Sequence, residues 1–591
     1  DDAEGAHETA MRALLSEAES ARQYGFTDAE IQRAVRRRLR AVERMVQERD
    51  TVDHVTHVRE MVAHALEGLF VPGVDRDREI HLEVLAAVDP QQLQAILEGW
   101  MAAPDRVVLA DGPSRDGRHA LPEEAALLAV FEEVAGFELQ PREEREVAQT
   151  LVATPPEPGT RVSVETDEEL GLETWVLSNG VRVMFKPTAF QRDQILLSAW
   201  APGGHHGRPL ADLAHARMAD QAVAVSGLGT FSAVDLRNAL TGRLVSLSPS
   251  LTGEQASLNG SASPQDLETL FELIYLHFTA PRVDVPAFEA HRRRVLQQVR
   301  NRLADPREVF NDIVSRTMTQ HHPRLLPVTE MDVLGVDAHR AVEIFSEHFS
   351  NAAGFTFLFV GNIDPEAAEP LILKWLGGLP STGEVPQRTP LAVEVPRHEL
   401  RRTLRLGLEP ISQVRMMWTS DDLVFDYPTR HAIQSMIGAL QIRAREVLRE
   451  EMSGTYHVSV WPSITAEPTP RVQLNVFFGC DPTQVEVLIA RTRELIEEFT
   501  TELLADSYIQ TVQETQRRRR EVDLQRNEFW NSVIPFYEWH GEPQRTVMDL
   551  EPLVAALTAE QIRDTAARFF RVPDQAIFIL MPGADAQSAA E

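Results

Sequence analysis

The sequence predicts an α+β fold in which helices pack on largely antiparallel sheets, with one domain type recurring along the chain. Three observations predict it: a helix-and-strand pattern that occurs three times, a strand-turn-strand signal at Asn179-Gly180, and mixed runs of strands and helices. Strands joined by tight turns form antiparallel sheets, whereas a strict β-α-β alternation would indicate a parallel sheet.

Each copy of the repeat has a long helix with an arginine-rich face, then a short helix with an Asp or Thr cap, then a strand. The long helices lie at 25–44, 285–303 and 501–521, and the copies close at 82–113, 331–362 and 550–583. This spacing indicates a duplicated domain rather than a solenoid, whose units are about 20–50 residues long. Only the later two copies follow a strand-rich section. We therefore expect the chain to begin inside a domain. Either another polypeptide supplies the strands that this domain lacks, or the edge of its sheet stays open.

Four regions are predicted along the chain. Residues 1–113 are mainly helical, 114–170 form a linker, 171–385 form one α+β domain and 386–591 form another. The third region opens with WVLSNGVRVMFKP, in which Asn-Gly predicts a type I′ hairpin turn. In the last region, a helix over 433–452 precedes the strands YHVSVWPSI and RVQLNVFFG.

Composition and charge exclude several classes of function. The formal net charge is −31 over 591 residues, which argues against a nucleic-acid partner, because phosphate binding requires a basic surface. No apolar run approaches the ~18 residues that a membrane-spanning helix needs. The one cysteine, Cys480, lies in an apolar run, and we expect a buried strand residue rather than a nucleophile.

The order of these motifs resembles the M16 family of zinc metallopeptidases, the insulinase and pitrilysin group. The resemblance rests on WVLSNGVRVMFKP, on APGG followed by SGLGTFSAVDLRNAL, on the repeated ending and on LREEMSGTYHVSV, and it covers almost the whole chain. It implies duplicated M16 (LuxS/MPP-like) domains, the first of them truncated, in two halves that close over a chamber for peptides or unfolded proteins. It also implies the C-terminal portion of a long bacterial enzyme, periplasmic or otherwise exported.

The family binds zinc through the motif H-x-x-E-H, in which two histidines hold the ion and the glutamate acts as general base. This sequence contains no H-x-x-E-H. The resemblance therefore implies that zinc belongs to the complete enzyme and that a partner, an N-terminal M16 half from the same precursor or a separate chain, carries its site. In the equivalent slot here, residues 211–227, His215 and Asp220 have the wrong spacing, and Gln298 occupies the place of the third ligand.

The remaining histidines and the arginine runs are expected to be structural. His54, His57 and His64 have helical spacing that a metal could use, but a solvated or packed helix face is favoured. The pairs at 205–206 and 321–322 are predicted to lie in turns. The arginine runs at 36–38, 292–294 and 517–520 are expected to form solvated, salt-bridged helix faces.

Arg449 and Tyr456, in LREEMSGTY, are the candidate catalytic residues. Arg449 is predicted near the end of the 433–452 helix, Gly454 is a helix stop, and Tyr456 begins the next strand, so the two side chains can converge. The resemblance implies that they hold the substrate carbonyl and stabilise the oxyanion, as an Arg and a Tyr at this separation do in the family. The alternative is an i, i+4 salt bridge for Arg449 and a packed strand position for Tyr456.

The leading functional hypothesis is the substrate-clamping part of an M16-type zinc metallopeptidase that is inactive on its own. One alternative is a non-catalytic M16-like binding or structural subunit that partners an active subunit. Another is a chamber that binds peptides without hydrolysing them.

Overall fold

The computed structural model describes residues 6–103, 107–109, 122–141, 150–452, 454–571 and 574–583. The helices are α1 (Ala6–Tyr24), α2 (Asp28–Gln47), α3 (His54–Glu67), α4 (Val74–Ala86), α5 (Pro90–Ala102), α6 (Glu124–Ala135), α7 (Leu213–Ala216), α8 (Ala219–Ser226), α9 (Ala233–Ala239), α10 (Leu267–Thr279), α11 (Val285–Ala304), α12 (Pro306–Met318), α13 (Glu330–Leu334), α14 (Ala338–Phe349), α15 (Pro365–Trp375), α16 (Tyr427–Ala444), α17 (Val485–Thr501), α18 (Asp506–Asp523), α19 (Asn527–His540), α20 (Leu550–Ala555) and α21 (Ala559–Phe569). A π-helical turn (Arg445–Glu451), here called the π turn, continues α16.

The strands are β1 (Arg161–Asp167), β2 (Leu172–Leu177), β3 (Arg182–Pro187), β4 (Ile195–Pro202), β5 (Val245–Leu251), β6 (Gln255–Ala262), β7 (Thr356–Gly361), β8 (Leu400–Arg405), β9 (Ser412–Ser420), β10 (Thr455–Thr465), β11 (Arg471–Cys480) and β12 (Gln575–Met581). They form a seven-stranded sheet of order β1-β2-β3-β7-β4-β6-β5 and a five-stranded sheet of order β10-β11-β9-β12-β8.

The two sheets share one topology. The strand that closes a repeat lies in the interior of each sheet, between a parallel and an antiparallel neighbour: β7 is parallel to β3 and antiparallel to β4, and β12 is parallel to β8 and antiparallel to β9. All other strand pairs are antiparallel. The predicted α+β class with largely antiparallel sheets is therefore confirmed.

The repeat also recurs in its helix caps. The side chains of Asp89, Asp337 and Thr558 each accept a backbone N–H at the start of α5, α14 and α21. Such caps satisfy amide groups that have no partner within the helix. The short, capped helix predicted for each copy is thus present in all three.

The predicted hairpin forms between β2 and β3, but its turn type differs from the prediction. Gly180 N donates to Leu177 O, and Leu177 N donates to Val181 O, each over 2.9 Å. Gly180 has φ 86°, whereas Asn179 is not among the residues with positive φ. A type I′ turn needs two such residues, so this loop is a type I turn followed by a glycine bulge.

The predicted boundaries at 113, 170 and 385 remain predictions. Within the stretch predicted as a linker, the structure forms α6 and also β1, which pairs with β2. The predicted end of the first copy's strand lies outside the described residues, and 107–109 are not in a strand.

Two helices are exchanged between the sheets. α12 places Phe310, Val314 and Met318 on the five-stranded sheet, where they share a buried cluster with Phe578 and Leu580. This helix follows α11, which packs with the core of the seven-stranded sheet. The spacing of four residues puts the three apolar side chains on one face of α12.

The reverse contact is made by α19. Its residues Trp530, Ile534 and Tyr537 pack on the seven-stranded sheet, in a buried cluster with Met184 and Val360. The helix before it, α18, packs with the core of the five-stranded sheet. Each sheet therefore has one face covered by its own helices and the other covered by a helix from its neighbour.

The first helical segment is joined to this pair by α2. Arg40 Nη2 lies 3.1 Å from Asp193 Oδ1, and both residues are buried. Burial raises the pKa of Asp193 even though Arg40 acts in the opposite direction. Glu48 adds a second anchor, since its carboxylate accepts Asp193 N over 2.6 Å. By contrast, α3, α4 and α5 contain no buried residue.

A search of the described residues for a helix that is both long enough and apolar enough to span a bilayer found none.

Replacing Phe310 by Ala tests the exchange. Phe310 is 1% exposed, so we expect the free energy of unfolding to fall by about 3–5 kcal/mol, from lost burial and the cavity left behind. Leu303→Ala, at a position of α11 that is 50% exposed, is the control and should change little. Urea denaturation measures both; equal effects would contradict the packing described.

His277 on α10 makes stability depend on pH. Its Nδ1 donates to Leu273 O over 2.8 Å, and burial lowers its pKa from 6.5 to about 4. Between these values the unfolded chain binds more protons than the folded chain. The stability from a neutral His277 is therefore complete above pH 6.5 and is lost as pH falls towards 4.

The variant His277→Leu removes this dependence. From pH 6.5 downwards, the free energy of unfolding of the unmodified protein should fall relative to the variant by about 1.4 kcal/mol per pH unit. Denaturant titrations at several pH values measure the difference, and parallel pH profiles for the two proteins would contradict it.

Candidate functional site

The π turn places Arg449 after α16, on the side of the molecule where β10 begins. The neighbouring Val447 and Leu448 are fully buried in the core of the five-stranded sheet. Beyond the turn, Met452 N donates to Val447 O and Gly454 N to Leu448 O, each over 3.2 Å. π-Helical turns are rare and are frequent at functional sites, because they shift the following side chains relative to a regular helix.

A salt-bridge network fixes the start of the π turn. Glu446 Oε2 lies 2.8 Å from Arg443 Nη1 and accepts the Tyr508 hydroxyl of α18 over 2.7 Å. Burial acts to raise the pKa of Glu446, but these hydrogen bonds hold it below its ordinary value. The π turn is therefore attached to α18 as well as to its own helix. Nothing in the sequence pattern singled out this network.

The Arg449 side chain is exposed and makes no hydrogen bond or ion pair with any described residue. The i, i+4 salt bridge that was the alternative prediction does not form there. Arg443 is engaged with Glu446, whereas Arg445 of the same turn is exposed and, like Arg449, has no partner among the described residues. A guanidinium without such a partner can bind an anion or a carbonyl oxygen.

Tyr456 lies at a β-bulge in β10. Thr455 pairs with Cys480 and His457 pairs with Gly479, so the register shifts at the residue between them. The Thr455 hydroxyl holds the bulge by donating to Gly479 O over 2.7 Å. Bulges occur preferentially beside active sites, where they change the direction of a side chain. For Tyr456 itself, the structure describes the backbone, which lies where the register of β10 shifts.

Gly454 joins the π turn to the bulge through a close contact. A Cβ atom at this position would lie 2.8 Å from Leu488 Cδ2. Gly454 follows the helix as predicted, but the reason for glycine there is that a side chain would not fit beside Leu488. Its backbone conformation does not require glycine, because its φ is not in the left-handed region.

β10 is an edge strand, and a side chain covers part of its free edge. Gln441 of α16 donates to Val458 O over 3.1 Å and accepts Val460 N over 2.8 Å. Its amide thus takes the place that a neighbouring strand would have at these two residues. The part of the β10 edge that is next to Arg449 and Tyr456 precedes Val458 in the chain and therefore lies outside this contact. Sequence reasoning missed Gln441, because a glutamine on a helix carries no signal of such a contact.

The slot that the resemblance assigns to a metal in the 171–385 region does not fit zinc. The polar lining of a cavity of about 580 Å³ there includes Gln298, Gln221, three arginines and one carboxylate, that of Asp332, whereas His215 and Asp220 do not line it. Asp220 instead accepts Leu251 N over 3.4 Å, and burial raises the pKa of its carboxyl. Amide and guanidinium groups are poor zinc ligands, which are normally thiolate, imidazole or carboxylate. No group of three or more His, Cys, Asp or Glu side chains suited to a metal occurs in the part of the chain that the structure describes.

The other histidines make separate contacts. His57 Nδ1 lies 3.5 Å from Glu60, and His64 Nδ1 donates to Leu69 O over 2.7 Å, while His54 begins α3. His205 is buried next to His206, and burial lowers its pKa to about 4.

His321 lies in a turn with φ 56°, and His322 accepts Arg324 N at the start of a short 3-10 turn. The predicted turn position of this pair is therefore observed.

Members of two of the three arginine runs, and Cys480, have the predicted structural roles. Arg517, Arg518 and Arg292 form ion pairs with Glu551, Glu514 and Glu289, respectively. Cys480 is fully buried in β11, and burial raises the pKa of its thiol to about 12. A thiol with this pKa is not a nucleophile at neutral pH.

Comparison with known proteins relates the chain to one family. A family model described as the M16 peptidase inactive domain matches residues 337–515. The "Zinc protease PQQL-like" protein of Arabidopsis thaliana is 24% identical over 542 residues, which is 88% of this chain and 53% of that protein. The chain is thus similar to M16 peptidases, and residues 337–515 match their inactive domain.

The fold agrees with solved structures of M16 members. The periplasmic protease PqqL from Escherichia coli superposes with a TM-score of 0.67 at 20% identity, over 97% of this chain and 63% of PqqL. The ferredoxin protease FusC, solved in complex with Arabidopsis ferredoxin, gives 0.68 at 18% identity, over 98% of this chain and 64% of FusC. The chain spans about half the length of the curated relatives it matches, 53% and 48% of two of them.

The mismatch between the slot and zinc leads to a prediction for this chain. After dialysis against zinc and then against buffer, it is expected to retain no stoichiometric zinc, since its slot presents amides, three guanidinium groups and a single carboxylate. Elemental analysis measures the zinc content per chain. One tightly held zinc ion per chain would overturn the assignment.

Proposed function

We propose that this chain is the substrate-clamping part of an M16-type peptidase, in which Arg449 and Tyr456 hold the carbonyl oxygen of the peptide bond that is cut. The observation that supports this most is the exposed guanidinium of Arg449, which has no partner among the described residues and lies on a fixed π turn, seven residues before Tyr456 at the β10 bulge. In this proposal, zinc belongs to the complete enzyme, on a segment or polypeptide that carries H-x-x-E-H.

The proposed role follows from charge development on the carbonyl oxygen. When a nucleophile adds to a peptide carbonyl, its oxygen gains negative charge, and a cation and a phenol donor held nearby stabilise that charge. The donors act best when their position is fixed before the reaction, because no energy is then needed to reorient them. Burial of Val447 and Leu448 and the Glu446–Tyr508 hydrogen bond supply this rigidity for Arg449.

The proposed substrates are peptides or unfolded proteins, and the proposed partner is an M16 half that carries the metal motif. The likeness to FusC, which was solved with a protein ligand, supports a protein substrate. The likeness to PqqL supports an exported location, as does a chain with one cysteine. No step of the reaction is assigned to metal ligands in this chain, since its residues do not fit them.

A second candidate function is a non-catalytic subunit that binds or supports an active M16 partner. The description of the matched family model as an inactive domain favours it, together with the amide-lined slot around Gln298. A third is a chamber that binds peptides without cutting them. Both differ from the main proposal in not requiring Arg449.

Arg449→Ala in the assembled enzyme tests the main proposal. We expect kcat for peptide hydrolysis to fall about 10²–10³-fold with a smaller change in KM, because the interaction is made mainly in the transition state. Tyr456→Phe should have an effect in the same direction, and Arg449→Lys should restore part of the rate.

The matched control is Arg445→Ala. Arg445 is an exposed arginine on the same π turn, one turn earlier, and its replacement should leave kcat unchanged. Unchanged kcat in Arg449→Ala would contradict the catalytic role. Equal peptide binding by both variants, without hydrolysis by the unmodified assembly, would favour the binding chamber.

A further inference from the structure

We propose that the cavity of about 580 Å³ beside Gln298, here called the α11 cavity, binds the C-terminal end of a peptide whose last residue is apolar. The guanidinium groups of the cavity take the terminal carboxylate, the Gln298 amide takes the last peptide unit, and an apolar wall takes the last side chain. The choice of a peptide as the ligand rests on the proposed function. The cavity, its charge and its wall are features of this chain and do not depend on catalysis.

The charge around the α11 cavity favours an anion over a metal ion. Three guanidinium groups line it, those of Arg217, Arg302 and Arg316. One carboxylate lines it, that of Asp332. Asp312 lies 3.6 Å from Arg302 Nε, and even with this second carboxylate the positive charges are in excess. Guanidinium groups repel a metal ion, and they bind a carboxylate through charge-assisted hydrogen bonds.

This local excess of positive charge is opposite to the charge of the whole chain. The sequence has 89 Asp and Glu residues against 58 Lys and Arg residues, so carboxylates are abundant. Arginines elsewhere on the same helix find one, as Arg300 of α11 does in Glu330 over 3.0 Å. An arginine that lines a cavity without such a pair is therefore the exception that indicates a ligand.

Arg316 is that arginine. Its side chain makes no hydrogen bond or ion pair with any residue that the structure describes, although it lines the cavity. Asp332 is engaged elsewhere, since its carboxylate accepts Thr329 N over 2.8 Å and the Thr329 hydroxyl over 2.6 Å at the start of α13. The Arg316 guanidinium is thus available to a carboxylate that comes from outside the chain.

Arg217 adds a second positive charge that no carboxylate pairs with directly. It donates to Leu326 O over 2.9 Å and to Arg324 O over 2.7 Å, and these carbonyl groups hold its position without neutralising its charge. Burial lowers the pKa of Arg217, while Asp332 acts in the opposite direction. A cation that has lost part of its hydration is stabilised by an anion nearby.

The α11 cavity also has partners for the rest of a C-terminal residue. The side-chain amide of Gln298 is exposed and makes no hydrogen bond with the described residues, so it can both donate to and accept from one peptide unit. The buried side chains of Met218, Val299, Val333 and Val336 form an apolar wall. An apolar wall with a few convergent polar groups is the usual composition of a ligand site.

A chain end fits this cavity better than an acidic side chain within a peptide or a free anion. The cavity volume lies in the range of about 300–1,000 Å³ that is typical of small-ligand sites. An internal Asp or Glu brings two segments of backbone to the site, whereas a C-terminus brings one. Inorganic phosphate would contact the guanidinium groups but would leave the apolar wall and the Gln298 amide unused.

Two matched peptides test the inference. Gly-Gly-Ala-Leu is labelled with fluorescein at its N-terminus and is prepared with either a free C-terminal carboxylate or a C-terminal amide. Each peptide is titrated with the chain, and fluorescence anisotropy gives the Kd. We expect the amidated peptide to bind at least tenfold more weakly, because it lacks the charge that the guanidinium groups recognise.

Substitutions separate the two polar contacts. Arg316→Gln should weaken binding of the free-acid peptide about tenfold and leave binding of the amidated peptide unchanged. Gln298→Leu should weaken both peptides by the same factor, because both carry the last peptide unit. The matched control is Arg293→Gln, which removes the same charge from an exposed position of α11 outside the cavity and should change neither Kd.

The Arg316→Gln variant should keep the melting temperature of the unmodified chain, because the Arg316 side chain has no partner among the described residues to lose. A weaker Kd in this variant then reports the contact and not the fold. Equal binding of the two peptides, or equal effects of Arg316→Gln and Arg293→Gln, would overturn the proposal. Inorganic phosphate that competes with the free-acid peptide at an equal Kd would also overturn it, since the cavity would then be a site for anions without preference for a peptide.

The preference for the free acid should persist in a chain that carries Arg449→Ala. Failure of the α11 cavity to bind the peptide is thereby distinguished from failure of the proposed catalytic role, which is read from kcat of the assembled enzyme.

Discussion

The exchange of α12 and α19 is the interaction on which the rest of this structure depends. A sheet that is apolar on both faces needs cover on both, and here each sheet takes its second cover from its neighbour. The helix before α19, α18, packs with the core of the five-stranded sheet. Tyr508 of α18 fixes Glu446, and with it the π turn. The packing of α18 thus helps to determine where Arg449 lies.

The candidate site is built from two departures from regular secondary structure. A π-helical turn carries Arg449, and a β-bulge carries Tyr456 at the start of an edge strand. Both departures are supported by buried neighbours, Leu448 on one side and Leu488 beneath Gly454 on the other. Irregular backbone persists only where the surroundings fix it, and these buried neighbours fix the backbone at both departures.

The duplicated topology accommodates different side chains at equivalent places. The cavity beside Gln298, in the slot that the resemblance assigns to a metal, presents amides, three guanidinium groups and one carboxylate. The other unit has at its π turn an arginine, Arg449, without a partner among the described residues. A duplicated domain can change its side chains in this way without changing its fold, because the fold depends on the buried clusters rather than on the slot.

The sequence by itself determined the α+β class, the threefold repeat, the caps at Asp89, Asp337 and Thr558 and the place of Arg449 near a helix end, since these follow from local periodicity and capping. It failed on the turn at Asn179-Gly180, because strand pairing selects among turns with the same residues. Only the tertiary structure decided the exchange of α12 and α19 and the cover of the β10 edge by Gln441. Those features depend on contacts between residues far apart in sequence, and an apolar spacing of four residues does not say which sheet it will meet.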